Sequence, residues 1–195
     1  MKSLIIAVLA FTVVAARAAD LKSPAIGEKV PSFALNTYDG KPVELKKLMK
    51  DNKLVVLMFM STECPVSNAY NDRMEQLYEA YAKKNVAIVG INANKAEDVK
   101  RIAEHSGEHG FKFMILKDLQ NKVADLYGAQ VTPETFVINS TGQLLYHGRI
   151  DDNRNAAKVT SRDLANAIDL ALAGKELTVT TPKAFGCSIK RVGTD

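Results

Sequence analysis

The chain has 195 residues, 47% hydrophobic and 25% charged, with 26 Lys and Arg against 22 Asp and Glu for a formal net charge of +4. That balance fits one ordinary globular domain and excludes a disordered chain, a collagen-like repeat and a small disulfide-stapled scaffold. The slight positive excess is spread along the chain and forms no basic stripe, so no nucleic-acid partner is expected. With 7% aromatics and no Trp the core must be chiefly aliphatic, and there are only two cysteines.

Residues 1–19 read as a signal peptide. Lys2 is the charged start, an apolar run of about thirteen residues is too short to span a bilayer comfortably, and Ala16-Arg17-Ala18 has the small-x-small form of a cleavage site. Cleavage after Ala18 or Ala19 predicts an extracytoplasmic protein, periplasmic or secreted, with no stable membrane anchor. A disulfide persists in such an oxidising space. Residues 20–174 read as one domain, and residues 175–195 as a C-terminal tail carrying the second cysteine.

Residues 32–36 alternate like a short strand, Asp39-Gly40 signals a hairpin turn, and residues 42–45 form the return strand. A short helical turn follows at residues 45–49. Residues 54–60 are apolar without alternation, the pattern of a strand buried on both faces. Met58 and Met60 within it read as core. After Cys64, Pro65 suits the first position of a helix, with Ala69 or Tyr70, Met74, Leu77, Tyr78 and Tyr81 on one stripe. Residues 86–91 give a second apolar strand. Asn94 and Glu97 have capping-box spacing, predicting a helix there that buries Val99, Ile102 and Ala103. Residues 113–116 are a third strand. Val123, Leu126 and Tyr127 mark a short helix stopped by Gly128. Residues 135–138 and 144–147 are strands around a turn, and Ser161 caps a last helix with Leu164, Ile168, Ala171 and Leu172 inside. Alternating apolar strands and helices imply an α/β fold with a mostly parallel core and a late antiparallel hairpin.

Cys64 falls where a buried strand hands over to a helix. Free backbone N–H groups and the helix dipole stabilise a thiolate there, and Ser67, one turn on, is placed to donate a hydrogen bond to it. Cys187 is the only possible partner within the chain. Their pairing would close a loop of about 120 residues, worth ~5 kcal/mol in the chain-entropy model, and needs Cα atoms within about 7 Å. A resolving thiol, a static structural bond and a free tail thiol all remain open for Cys187. His105 and His109 are spaced i, i+4 on a helix, but no third ligand is evident, so they read as a solvated face and no metal or cofactor is expected. His147 reads as a partly exposed strand residue.

Several segments, in order, carry a family resemblance: Gly27-x-x-x-Pro31-x-Phe33, Asp39-Gly40-Lys41, the strand leading to Cys64, Asp118, Tyr127-Gly128 and Thr132-Pro133-x-Thr135-Phe136-Val137-Ile138. The chain resembles the thioredoxin-like superfamily, among the extracytoplasmic redoxins that group with TlpA-like oxidoreductases and with the alkyl-hydroperoxide-reductase/thiol-specific-antioxidant family. The likeness extends over roughly residues 26–174. It implies a thioredoxin-like fold: a mixed central sheet flanked by helices, with an N-terminal β-hairpin extension. It also implies that Pro133 is cis beside the reactive cysteine and that Thr132 offers backbone groups to an extended substrate.

Departures from the pattern divide the activity. A dithiol oxidoreductase carries Cys-x-x-Cys, and here Ser67 holds the fourth position. A peroxiredoxin carries a proline where this chain has Leu57 and a hydroxyl where it has Ser61, and places an arginine by the thiolate, for which Arg73 and Arg149 are the candidates. The first reading is a thiol-based oxidoreductase. In it Cys64 attacks a protein disulfide or sulfenylated thiol, and Cys187 or an external thiol reductant resolves the adduct. The second is an antioxidant peroxide reductase. The third is a non-enzymatic binding module stapled by Cys64 and Cys187.

Overall fold

The computed structural model describes residues 23–193, so the signal peptide expected at residues 1–19 lies outside the described residues. The hairpin signalled by Asp39-Gly40 is β1 (Ala34–Thr37) paired antiparallel with β2 (Pro42–Glu44), with Gly40 at φ +86° in its turn. The helix α1 (Leu45–Asp51) follows and buries Leu45. β3 (Leu54–Met60) is buried at all seven positions because it lies inside the sheet. It runs parallel to β4 (Val86–Asn92) and antiparallel to β7 (Glu134–Asn139). β5 (Met114–Lys117) runs parallel to β4, β8 (Leu144–Gly148) antiparallel to β7, and the seven-stranded order is β2-β1-β5-β4-β3-β7-β8. This is the mixed, helix-flanked α/β sheet with an N-terminal hairpin that the sequence predicts.

Side chains alternate along a strand, so β3 feeds two cores. Val56, Met58 and Met60 join Met74, Ile102 and Ile168 on one face, while Val55, Leu57 and Phe59 join Leu45, Val123 and Tyr127 on the other. Met58 and Met60 are thus core, as expected. The helix expected after Cys64 is two: α2 (Pro65–Asn68) and α3 (Asn71–Tyr81). Tyr70 sits at the break, with its ring buried, its hydroxyl 2.9 Å from Asp151 and the Arg73 guanidinium 3.6 Å above its ring centroid.

Three local expectations are corrected. α4 (Val99–Glu108) is capped by Asp98, whose carboxylate accepts from the Arg101 N–H at 2.8 Å, and Asn94 and Glu97 form no capping box. Its buried face is Ile102, His105 and Ser106, whereas Val99 and Ala103 are exposed. α5 (Lys122–Tyr127) buries Ala124 in place of Leu126, and the buried Asp118 carboxylate accepts from the Val123 and Ala124 N–H groups at its start. α6 (Asp163–Leu172) begins without a side-chain cap, because the Ser161 hydroxyl donates to Asp163 instead, at 2.6 Å. α3, α4 and α6 cover one face of the sheet, and α1 and α5 the other.

Beyond α6 the chain has little periodicity but is held by polar contacts. The His147 N–H donates to Thr180 O and the Arg149 N–H to Pro182 O. Gly148 is required at that crossing, since a Cβ there would lie 2.3 Å from the Pro182 carbonyl oxygen. The tail then adds a short strand, β9 (Cys187–Ser188), antiparallel to β6 (Val131–Thr132).

Candidate active site

The two cysteines are joined. Cys64 and Cys187 form a disulfide across 123 residues of sequence, with Cα atoms 5.9 Å apart, inside the range a bridge requires. Cys64 is the N-cap of α2, at the end of the buried strand β3, and is 5% exposed. The Ser67 N–H donates to its sulfur at 3.3 Å. The donor reaching sulfur is therefore the backbone of Ser67. Its buried hydroxyl accepts from the Ser61 N–H at 3.1 Å.

The loop before Cys64 is tied to a buried carboxylate. The Ser61 hydroxyl accepts from the Cys64 N–H at 2.9 Å and donates to Glu97 at 2.5 Å. Glu97, 2% exposed, also accepts from the Thr62 N–H at 2.6 Å, the Thr62 hydroxyl at 2.9 Å and the Asn92 amide at 2.6 Å. Next to it the Lys117 ammonium donates to Asn92 Oδ1 and the Asn94 carbonyl at 2.9 and 2.7 Å. Burial holds the Lys117 pKa below its usual value, and the Glu97 charge opposes that shift.

Opposite Cys64, the Thr132–Pro133 peptide bond is cis and both residues are buried. The Thr132 carbonyl oxygen lies 3.4 Å from the Cys64 sulfur, and Thr132 is the register partner of Cys187. Glu134 braces this strand from behind, accepting from the Gln130 and Val131 N–H groups at 2.7 and 3.0 Å and bonding the His147 ring at 2.5 Å. The loop after β4 grips the tail as well. The Lys95 N–H donates to Lys190 O, and the Lys190 N–H to Asn94 Oδ1. One loop, residues 92–97, therefore touches the segments carrying both cysteines.

The remaining candidates lie elsewhere in the network. Arg73 donates to Asp151 at 2.5 Å and Arg149 to Asp163 at 2.6 Å, so both are committed to other carboxylates. His105 is not on a solvated face: it is 1% exposed, and burial, with the His109 charge, pushes its pKa down to about 4. His105, Glu108 and His109 offer donor atoms within 4.8 Å of one another and could hold a metal ion. The Arg101 guanidinium stands 3.6 Å from the Glu108 carboxylate, however, and already places a cation there. Sequence reasoning missed Glu97, Lys117 and Glu134. The one available signal was a polar or charged residue directly ending or beginning an apolar strand, as Asn92, Lys117 and Glu134 do.

The model of the AhpC/TSA family matches residues 26–147. Among curated proteins, the thiol-disulfide oxidoreductase ResA of Halalkalibacterium halodurans is 34% identical over 128 residues, 65% of this chain and 70% of that protein. Among solved structures, a hypothetical protein from Sinorhizobium meliloti 1021 superposes with a TM-score of 0.82 at 32% identity, covering 89% of this chain and 98% of that one. The peroxidoxin BcpB of Mycobacterium tuberculosis superposes with a TM-score of 0.55 at 25% identity, over 76% of this chain and 94% of that one.

Proposed function

The chain belongs to the AhpC/TSA family, and from that premise we propose that it is a thiol–disulfide oxidoreductase in which Cys64 is the nucleophile and Cys187 the resolving thiol. The observation that carries this reading is the Cys64–Cys187 bond, formed at a strand-to-helix junction against a cis-proline strand. The likeness to ResA supports it. In the reduced protein the Ser67 N–H lies at the sulfur and favours the thiolate. Ser61, held by Glu97, fixes the Cys64 backbone. Cys64 attacks a protein disulfide, and the thiolate of Cys187 then attacks the Cys64 sulfur and releases the client thiol. Ser67, Thr132 and Pro133 form the surface against which the client sulfur is presented. An external thiol reductant returns the protein to the dithiol.

Peroxide reduction is the second reading, favoured by the structural likeness to peroxidoxin BcpB. A sulfenic acid on Cys64 would condense with Cys187 to the same disulfide. Arg73 and Arg149 are engaged by aspartates, which withholds the cation that would polarise a peroxide. The test is mass spectrometry of Cys187→Ser after exposure to a protein disulfide or to peroxide. A trapped mixed disulfide formed faster than a sulfenic acid is expected; the reverse order would favour peroxide, and no adduct of either kind would leave the stapled binding module.

Function is placed outside the cytoplasm in this proposal, with residues 20–174 the redoxin domain and residues 175–195 its cysteine-bearing tail. Among the described residues no helix is long and apolar enough to cross a membrane. N-terminal sequencing of exported protein should begin at Ala19 or Asp20; a chain retaining Met1 in the membrane fraction would overturn the export.

A further inference from the structure

β6 has one neighbour in its sheet, the tail strand β9. Cys187 stands opposite Thr132 and Ser188 opposite Val131, with the Cys187 sulfur bonded to Cys64. Any client caught as a mixed disulfide on Cys64 must bring its own sulfur to that position. Its backbone then meets the edge that the tail now covers, where strand addition supplies main-chain hydrogen bonds and alternate side chains supply specificity. How the tail fits this edge is therefore a record of what the edge accepts.

That fit is restrictive at two positions. A Cβ on Gly186 would lie 2.0 Å from the Thr132 carbonyl oxygen, 2.6 Å from its carbon and 3.2 Å from the Pro133 nitrogen. These are backbone atoms of buried residues and cannot swing aside as a flexible side chain can. Gly186 is required for space. Two residues after Cys187, on the same side of an extended chain, Ile189 is 5% exposed and belongs to the core cluster that includes Ile91, Ala129 and Phe136. Ser188 between them is exposed.

Building on the thiol–disulfide reading above, we infer that the tail from Gly186 to Ile189 is an internal copy of the client sequence this site takes. That client is an extended segment with glycine before the reactive cysteine and an aliphatic residue two positions after it, and it competes with the tail for the β6 edge. In the reducing direction the Cys64 thiolate attacks the client disulfide at this cysteine. The S–S bond breaks, and the other client sulfur leaves as a thiolate that takes a proton from water. The client strand then holds β6. When the tail returns, the Cys187 thiolate attacks the Cys64 sulfur, the mixed disulfide breaks, and re-pairing of β9 with β6 displaces the client strand. Two electrons pass from the protein dithiol to the client, and an external dithiol reductant restores them.

The test uses full-length Cys187→Ser and synthetic peptides whose single cysteine carries a thionitrobenzoate leaving group, so that attack by Cys64 releases colour. A peptide containing Gly-Cys-Ser-Ile is compared with one containing Ala-Cys-Ser-Ile, after both are shown to react equally with glutathione. The alanine peptide should react slower by roughly 10- to 100-fold, the range of an unrelieved packing clash. Equal rates would overturn the inference. So would two unreactive peptides in a protein whose Cys64 still reacts with a small aromatic disulfide. A Cys64 inert to that small disulfide too would instead defeat the thiol–disulfide reading itself. As a second measurement, wild-type chain carrying Gly186→Ala should shift its disulfide equilibrium with glutathione toward the dithiol by at least ~10-fold, and an unshifted equilibrium would remove the steric selection.

Discussion

Glu97 carries more of the site than its place in a loop suggests. Its carboxylate takes hydrogen bonds from Ser61, from both donors of Thr62 and from Asn92, all inside the protein. Glu97→Ala leaves those donors unpaired in the interior, and each buried orphan costs about 1–3 kcal/mol. A loss of at least ~3 kcal/mol in urea unfolding is expected, with Glu97→Gln, which keeps one acceptor oxygen, losing less. Slower alkylation of the reduced Cys64 should accompany it, because Ser61 no longer fixes the Cys64 N–H. A change below ~1 kcal/mol would show that the network is replaceable by water. His105 makes a second residue-scale prediction. Burial pushes its pKa down to about 4 from a reference of 6.5. Below pH 6.5 the unfolded chain takes up a proton that the folded chain refuses, so stability falls as pH drops through the window from 6.5 to 4 and is unaffected above it. The contribution is at most ~3 kcal/mol. Chemical denaturation at pH 7 and 4.5 should show a steeper acid loss in the wild type than in His105→Gln; parallel losses would contradict the assignment.

At the scale of elements, what was legible follows from how much of an element's stability is apolar and local. β3 was legible residue by residue, since a run such as Leu54–Met60 has no polar position to spare for solvent. The start of α4 was not. Asn94 and Glu97 have the spacing of a cap, but Glu97 is drawn inward by Ser61 and Thr62, about 35 residues earlier in sequence, and the helix waits for Asp98. The break between α2 and α3 was hidden for the same reason, because Asp151, 81 residues further along the chain, holds the Tyr70 hydroxyl from outside the helix. The tail was the least legible element. Its polar anchors are contacts from Asn94, Lys95, Gln130 and Asn121 to main-chain groups and the Arg191–Asp125 ion pair, with no period to detect. Phe185, edge-on to the Tyr70 ring, and the buried Ile189 supply its apolar anchors near Cys187. Ile189→Ala should cost about 2–4 kcal/mol in the oxidised protein, and should raise the rate at which a dithiol reductant opens the Cys64–Cys187 bond. If the stability changes and the reduction rate does not, the tail leaves the edge without Ile189 leaving its pocket.

For the molecule as a whole, the disulfide and the fold are coupled quantities. The bond joins residues 123 apart and so ties the tail to the centre of the sheet. Closing a loop of that size removes chain entropy from the unfolded state worth ~5 kcal/mol. Thermodynamic linkage makes this reciprocal: whatever the bond adds to folding, folding adds to the bond. For a two-electron couple, ~1.4 kcal/mol corresponds to about 30 mV, so the folded protein should hold its disulfide at a potential lower by roughly 100 mV than the same cysteines in the unfolded chain. Two independent measurements check this. One is the difference in urea-unfolding free energy between oxidised and reduced protein. The other is the difference in potential against glutathione between folded protein and protein in strong denaturant. The two should agree when converted by that constant. Small differences in both would mean that the dithiol form gains contacts of its own, with the tail repositioned once it is released from β6. A large difference in both would describe a tail that docks on β6 again in the resting dithiol form until a client strand displaces it, which is the behaviour expected from the hydrogen bonds that hold Lys190 and Val192 independently of the sulfurs.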